Sequence, residues 1–347
     1  MIPAVLVAAV EAAGSAPLAE AVGLIRPCHR HACIADDGGA GVRSGCARAG
    51  DANAGAGGRR CMPRLIASPA DDHVIELDVL ICWCESADFD PHCEEGLAQA
   101  APMLAALARN RHFLSNLAVA ELKTRCAGQR HANPYSAQVL LLHPPTDRYV
   151  LRAAFWPAER DHVVRMSGAS AFLYHVPHDH SFDFLTVGYL GPGYAPDYYD
   201  YDPDAVAGAN GEAVALHFVE RSCLSEGRML LYRANRDVHA QLPAESMSVS
   251  LNILASAPDQ GWRRQYRCDT VRGAIAACMT VASAQMLLEL AVGCGTGNAI
   301  DLAQDFAARH PVDAMHATTW HAIGEAIGLG AGESAERPCH CAADARI

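Results

Sequence analysis

The chain has 347 residues, of which 51% are hydrophobic and 19% charged, and its formal net charge is −12. That length accommodates one large domain or two modest ones, with enough apolar material to bury a core. The acidic balance, with no Lys/Arg cluster anywhere along the chain, excludes a nucleic-acid partner, because phosphate binding needs a basic face; a small-molecule metabolite or a peptide fits better.

The opening MIPAVLVAAVEAAGSAPLAEA is apolar but lacks a basic start and carries Glu11 early, so it is not read as an export signal. Residues 1–70 are rich in Ala, Gly and Arg with almost no periodic apolar pattern. Such a composition does not offset its ordering entropy, and disorder is expected. The fragments Cys28-His29-Arg30-His31-Ala32-Cys33 and Cys339-His340-Cys341 look like pieces of zinc sites, but neither has a second half at suitable spacing. The fourteen cysteines form no repeated framework and read as reduced thiols of a cytoplasmic protein. No stretch approaches the roughly 18 consecutive apolar residues of a membrane span.

Residues 71–135 are expected to form a strand and a helical segment packed on the β region that comes after them. VIELDVLICWC reads as a short buried strand, and Leu97, Ala101, Leu104, Ala108, Leu114, Leu117 and Leu122 recur at helical spacing behind the first-turn signals Pro91, Glu94 and Glu95. Residues 136–258 are expected to form a closed β structure: QVLLLH, YVLRAAFW, SAFLYHV, DFLTVGYL, GRMLLYR and SMSVSLNIL are apolar or β-branched runs broken by Pro, Gly, Asp and Asn. The Tyr/Asp-rich run GYAPDYYDYDP reads as a solvated loop. Over residues 262–330 the helical period returns through AIAACMTVASAQMLLELAV, NAIDLAQDFAARH and PVDAMHATTWHAIGEAIG, the last two loosely resembling a HEAT-type helical pair. AVGCGTGNAID follows a helix-like segment, which argues against a nucleotide-binding turn. Residues 331–347 read as a loose tail. The class is therefore α+β, a mainly β core with flanking helices at both ends.

The segment FLYHVPHDHSFDFLTVGYLGPGY carries the chemistry. In an extended strand alternate side chains share a face, so His178 and His180 point the same way at a spacing suited to one metal ion. A third ligand must come from a distant strand, and His239, in GRMLLYRANRDVHAQLP, follows an apolar strand and a turn. Asp183 lies near the pair but has the wrong strand parity to join it without a bulge. His175, out of phase with the pair, reads as an outward or structural histidine.

An HxH segment, a glycine-rich turn and a later single His resemble the two-part pattern of the cupin superfamily, in which both segments line one β-barrel of jelly-roll kind. PHDH and VHAQLPAESMSVSLNIL are most similar to the three-histidine, cysteine dioxygenase-like members, and Arg152 in YVLRAAFW stands where that group has an arginine that grips the substrate carboxylate. The resemblance covers about a third of the chain. It implies non-haem iron and dioxygen chemistry on a small carboxylate-bearing or amino-acid-like substrate, a thiol included. Two departures put cysteine as substrate in doubt: the group's Ser-His-Tyr row falls on Ser250, Asn252 and Leu254, and its cross-linking cysteine on Leu185. The turn Arg233-Ala234-Asn235 replaces the Pro-x-Gly usual before the last histidine.

The expected reaction is thus an Fe(2+)-dependent dioxygenation or hydroxylation, with His178, His180 and His239 on the metal and Arg152 clamping the substrate. Tyr174, Tyr189 and Tyr232 are the candidates for donating a hydrogen bond to reacting oxygen. Zn, Ni or Mn could serve an isomerase or lyase in the same pocket, and a non-catalytic barrel that senses a ligand is the alternative from another class. Small-molecule substrate and dioxygen are the expected partners, with no nucleic acid and no membrane.

Overall fold

The computed structural model describes residues 63–67, 72–280, 283–295, 297–310 and 313–326, all within one compact unit. The elements begin with β1 (Arg64–Ile66), α1 (Leu77–Cys84), α2 (Glu94–Gln99), α3 (Ala101–Arg109), α4 (Phe113–Lys123) and α5 (Ala127–Ala132). They continue with β2 (Val139–Leu141), β3 (Tyr149–Trp156), α6 (His162–Ser167), β4 (Phe184–Leu190), β5 (Ala195–Asp200), β6 (His217–Arg221), β7 (Met229–Tyr232), β8 (Asp237–Leu242) and β9 (Ser248–Ala255). The hairpin β10 (Tyr266–Asp269) and β11 (Ala274–Cys278) then precedes α7 (Ser283–Gly293), α8 (Gly297–Arg309) and α9 (Asp313–Ala326).

A six-stranded antiparallel sheet has the order β1-β7-β4-β9-β3-β2. Its central strand β9 is buried along its whole length and pairs with both β3 and β4. Because side chains alternate across a strand, the sheet has two distinct apolar faces. Leu151, Ala153, Leu185, Val187, Leu231, Leu251 and Ile253 face the core shared with α1, α2 and α3. Val150, Ala154, Trp156, Phe184, Leu230, Tyr232 and Leu254 face the other way, into a second core with Tyr198 of the opposing sheet and Tyr194 just before it. That opposing sheet has the order β6-β5-β8, and single bridges through His178 link β8 to β10 of the hairpin. The β core flanked by helices therefore matches the expected class, as two antiparallel layers enclosing a packed interior.

Several sequence-based expectations are corrected. The VIELDVLICWC run is the helix α1, not a strand. A short apolar run is ambiguous by periodicity alone, and here Leu80 and Cys84, one helical turn apart, are the buried pair. The expected helical segment is broken into three short helices, α2, α3 and α4, with α5 after it. Leu97, Ala101, Leu104, Ala108 and Leu114 are buried as the spacing predicts, but Leu122 is 70% exposed. SAFLYHV is not a strand: Ala169–Phe172 is a short 3-10 helix, and Leu173 (φ 57°) and His175 (φ 60°) adopt left-handed backbone that an extended run does not contain. GYAPDYYDYDP is not a solvated loop but contains β5, with Tyr194, Tyr198 and Tyr201 buried.

The β region does not stop at residue 258. AIAAC is β11 and not helix, paired with β10 across a turn in which the Asp269 carboxylate accepts from the Val271 and Arg272 amides and Gly273 takes φ 61°. Of residues 1–70, only 63–67 are described, with Arg64–Ile66 paired as β1 against β7; the disorder expected of the rest, both zinc-like fragments and the tail from 331 lie outside the described residues. The three C-terminal helices share a small core of Leu288, Val292, Ala303, Met315 and Ala322.

Candidate metal centre

His239 sits on β8, and the backbone of His178 is paired with it directly: the His178 amide donates to His239 O at 3.0 Å and the His239 amide to His178 O at 2.9 Å. This reciprocal antiparallel pair puts both imidazoles on one face of the sheet. His180, two residues on, shares that face, and the Asn235 amide donates to its carbonyl at 2.7 Å. Asn235 takes φ 51°, the left-handed conformation that asparagine tolerates better than most residues, so it does the turning that a glycine would do before His239.

Asp179 points to the opposite side and secures the segment. Its carboxylate accepts from Tyr201 Oη at 2.7 Å, Asn235 Nδ2 at 3.2 Å and the Tyr266 amide at 2.6 Å. Burial pushes its carboxyl up from its ordinary value, against those three hydrogen bonds. Asp183 is likewise structural, accepting from the Ala234 amide at 2.6 Å.

The three imidazoles are mutually edge-on, with ring centroids 4.7–5.0 Å apart. One ring nitrogen from each lies within 4.8 Å of the others. His178 Nδ1 is held by Val176 O at 2.8 Å, which leaves Nε2 buried and without a partner. Nε2 of His180 and Nε2 of His239 are 3.2 Å apart, the separation of two nitrogens each about 2.1 Å from a shared ion at roughly 100°. Burial lowers His178 to about 4. Burial, then the neighbouring His178, His239 and Arg152, holds His180 well below its ordinary value; burial and His178 do the same for His239. The cluster is therefore neutral at physiological pH, with lone pairs available to a cation. Three clustered neutral imidazoles, with His178 Nε2 buried and unpartnered, fit a divalent metal, and these three residues would hold it.

Around the cluster, Phe184 packs edge-on to His180 at 4.9 Å and Tyr232 edge-on to His239 at 5.0 Å. The Tyr232 hydroxyl hydrogen-bonds Tyr198 Oη at 2.7 Å and also interacts with Tyr194. Burial holds both Tyr198 and Tyr232 well above the ordinary phenol value. Arg152, on the inward face of β3, acts electrostatically on both His180 and Tyr194. Its guanidinium lies over the Tyr135 ring at 4.7 Å, and its Nε has no hydrogen-bond partner. The Ser250-Asn252-Leu254 row also faces inward, with Ser250 Oγ accepting from Trp156 Nε1 and Asn252 Oδ1 from Thr186 Oγ1.

Of the three candidate tyrosines only Tyr232 stands beside the histidines. Tyr174 is buried, with its hydroxyl donating to Pro157 O at 2.7 Å. Tyr189 lies on the helix side of the sheet, edge-on to Phe113, and donates to Asn110 O at 3.0 Å; the strand alternation from Phe184 would have placed it there had the parity been carried forward. Leu185 also faces the helices, so it is no neighbour of the inward row. His175 is exposed. Three residues were missed: Tyr194 and Tyr198, hidden in a run read as loop, and Gln241, two residues after His239 on the same face, whose Nε2 is 2.7 Å from His239 Nε2.

No family model matches the chain, and no curated protein does. Among solved structures it is similar to a salicylate 1,2-dioxygenase from Pseudaminobacter salicylatoxidans at 10% identity and a TM-score of 0.26, over 44% of this chain and 37% of that one. A cupin domain from Bordetella pertussis matches at 12% identity and a TM-score of 0.21, over 35% of this chain and 96% of that one. A chain from the crystal structures of two DMSP lyases matches at 12% identity and a TM-score of 0.19, over 33% of this chain and 41% of that one. The chain thus spans well under half the length of the dioxygenase and of the lyase chain.

Proposed function

We propose that the chain is a cupin-type, three-histidine metal enzyme that uses dioxygen to oxidise a small carboxylate-bearing or amino-acid-like substrate, a thiol included. The observation that carries this reading is the convergence of three buried neutral imidazoles from two distant segments, with the Arg152 guanidinium, unsatisfied at Nε, acting electrostatically on His180. A bound ferrous ion would supply Lewis acidity and redox chemistry toward dioxygen at this point.

The chain's own residues do the rest. Arg152, stacked on Tyr135, presents a planar fork that pairs with a carboxylate in a bidentate way and so fixes the substrate's orientation. Phe184, Leu254 and Tyr232 close the interior with apolar surface, which excludes water and strengthens every charge interaction inside. The Tyr198 and Tyr232 phenols stay protonated and share one hydrogen bond, so the pair keeps one O–H for a substrate oxygen and neither phenol is a base.

The test is oxygen uptake by protein purified anaerobically and supplied with ferrous iron, against a panel of thiols, amino acids and small carboxylates. Substrate-dependent uptake is expected, and Arg152→Gln is expected to raise KM for the anionic substrate at least tenfold. Metal-dependent turnover that consumes no oxygen would replace this reading with a lyase or isomerase. Tight ligand binding without turnover would replace it with a sensor.

A further inference from the structure

Gln241 is 3% exposed and stands two residues after His239 on β8, so its side chain shares the face of the imidazole. Its amide reaches to 2.7 Å of His239 Nε2, the nitrogen that also approaches His180 Nε2 at 3.2 Å. At its other end Gln241 Oε1 is buried with no hydrogen-bond partner, and so is His239 Nδ1. As a purely structural pair, amide N–H donating to imidazole, the contact leaves the Gln241 carbonyl oxygen buried and unsatisfied, at a cost of the kind that interiors avoid.

An ion held by His239 Nε2 would consume the lone pair that the amide N–H faces, and the N–H would then point at a cation. A half-turn of the amide exchanges oxygen and nitrogen without changing the space filled, and it sets the carbonyl oxygen toward the ion. Both separations, 2.7 Å and 3.2 Å, lie close to the roughly 3 Å edge of a polyhedron whose donors are about 2.1 Å from its centre.

We propose that Gln241 Oε1 is a fourth protein donor to the metal, completing a His178, His180, His239, Gln241 set. The inference rests on the metal-site reading above and deepens it. All four donors are neutral, so a divalent ion keeps its full charge for an anionic substrate, and the amide oxygen suits an oxygen-tolerant ion such as iron, cobalt or manganese better than one that demands only nitrogen and sulfur.

The experiment is anaerobic titration of the full apo-chain with Co(2+), read by visible absorption and by competition with a chelator, for wild type, Gln241→Ala and Gln241→Glu. Wild type is expected to bind one Co(2+) with the weak absorption of a five- or six-coordinate ion. Gln241→Ala is expected to lose roughly tenfold or more in affinity and to gain intensity as the coordination number falls. Gln241→Glu, with a charged oxygen in the same place, is expected to bind more tightly than wild type. An unchanged spectrum in both variants overturns the proposal, even if affinity drops, because a residue that only orients His239 leaves the coordination number alone. Should Gln241→Ala fail to fold, judged by far-ultraviolet circular dichroism, a Gln241→Glu spectrum and affinity equal to wild type overturns it alone. Wild type that takes up no Co(2+) at all instead removes the underlying three-histidine site.

Discussion

Asp179 is the side chain on which the geometry of His178 and His180 depends, because it faces away from them and anchors the segment to Tyr201, Asn235 and the Tyr266 amide. Its removal leaves those donors buried without an acceptor. We therefore expect Asp179→Ala to destabilise the fold by about 3 kcal/mol, measured by urea denaturation, and to weaken metal uptake although Asp179 touches no ligand nitrogen. At the residue scale part is legible in the sequence: the His-x-His pair was read from strand alternation, His239 from its place after an apolar strand and a turn, and Arg152 only from the resemblance to the three-histidine cupins. Gln241 obeys the same alternation and was readable for the same reason. Tyr189 shows the limit, since its side of β4 is set by parity only once Phe184 is known to face inward.

Among the elements, the β-strands with strict alternation were readable, whereas VIELDVLICWC was not. Its Leu77, Leu80, Ile81 and Cys84 fit a helical face as well as a buried strand, and packing of α1 against α3 is what decides. AIAAC failed for the opposite reason: alanine favours helix intrinsically, and pairing with β10 overrides it. Gly188 was invisible in sequence as a constraint. A methyl group at that position would meet the carbonyl oxygens of Ser225 and Leu224, at the point where the β4–β9 register shifts. Gly188→Ala is expected to cost about 1–3 kcal/mol, seen as a lowered denaturation midpoint. In the loop before β6, the half-buried Glu212 carboxylate accepts from the amides of Ala207, Gly208 and Ala209, and those bonds lower it below its ordinary 4.5. A depressed carboxylate stabilises above its unfolded-state value and loses that contribution as pH falls through the folded value. The stability gap between wild type and Glu212→Gln is therefore expected to be constant above pH 4.5 and to shrink below it, as measured by denaturation across a pH series.

For the molecule as a whole, two antiparallel layers and their helices place the site inside a core, and among the described residues no helix is long and apolar enough to cross a membrane. A ligand that binds only the folded chain stabilises it by mass action, about 2.7 kcal/mol at a hundredfold excess over Kd, so a divalent metal is expected to raise Tm. The central claim is that His178, His180 and His239 hold one ion between the sheets, and its most direct test is metal content after anaerobic reconstitution with ferrous iron and desalting, compared between wild type and His239→Ala. The account predicts one ion per wild-type chain and none in the variant, with the far-ultraviolet circular dichroism of both alike; equal metal content in the two proteins would contradict it.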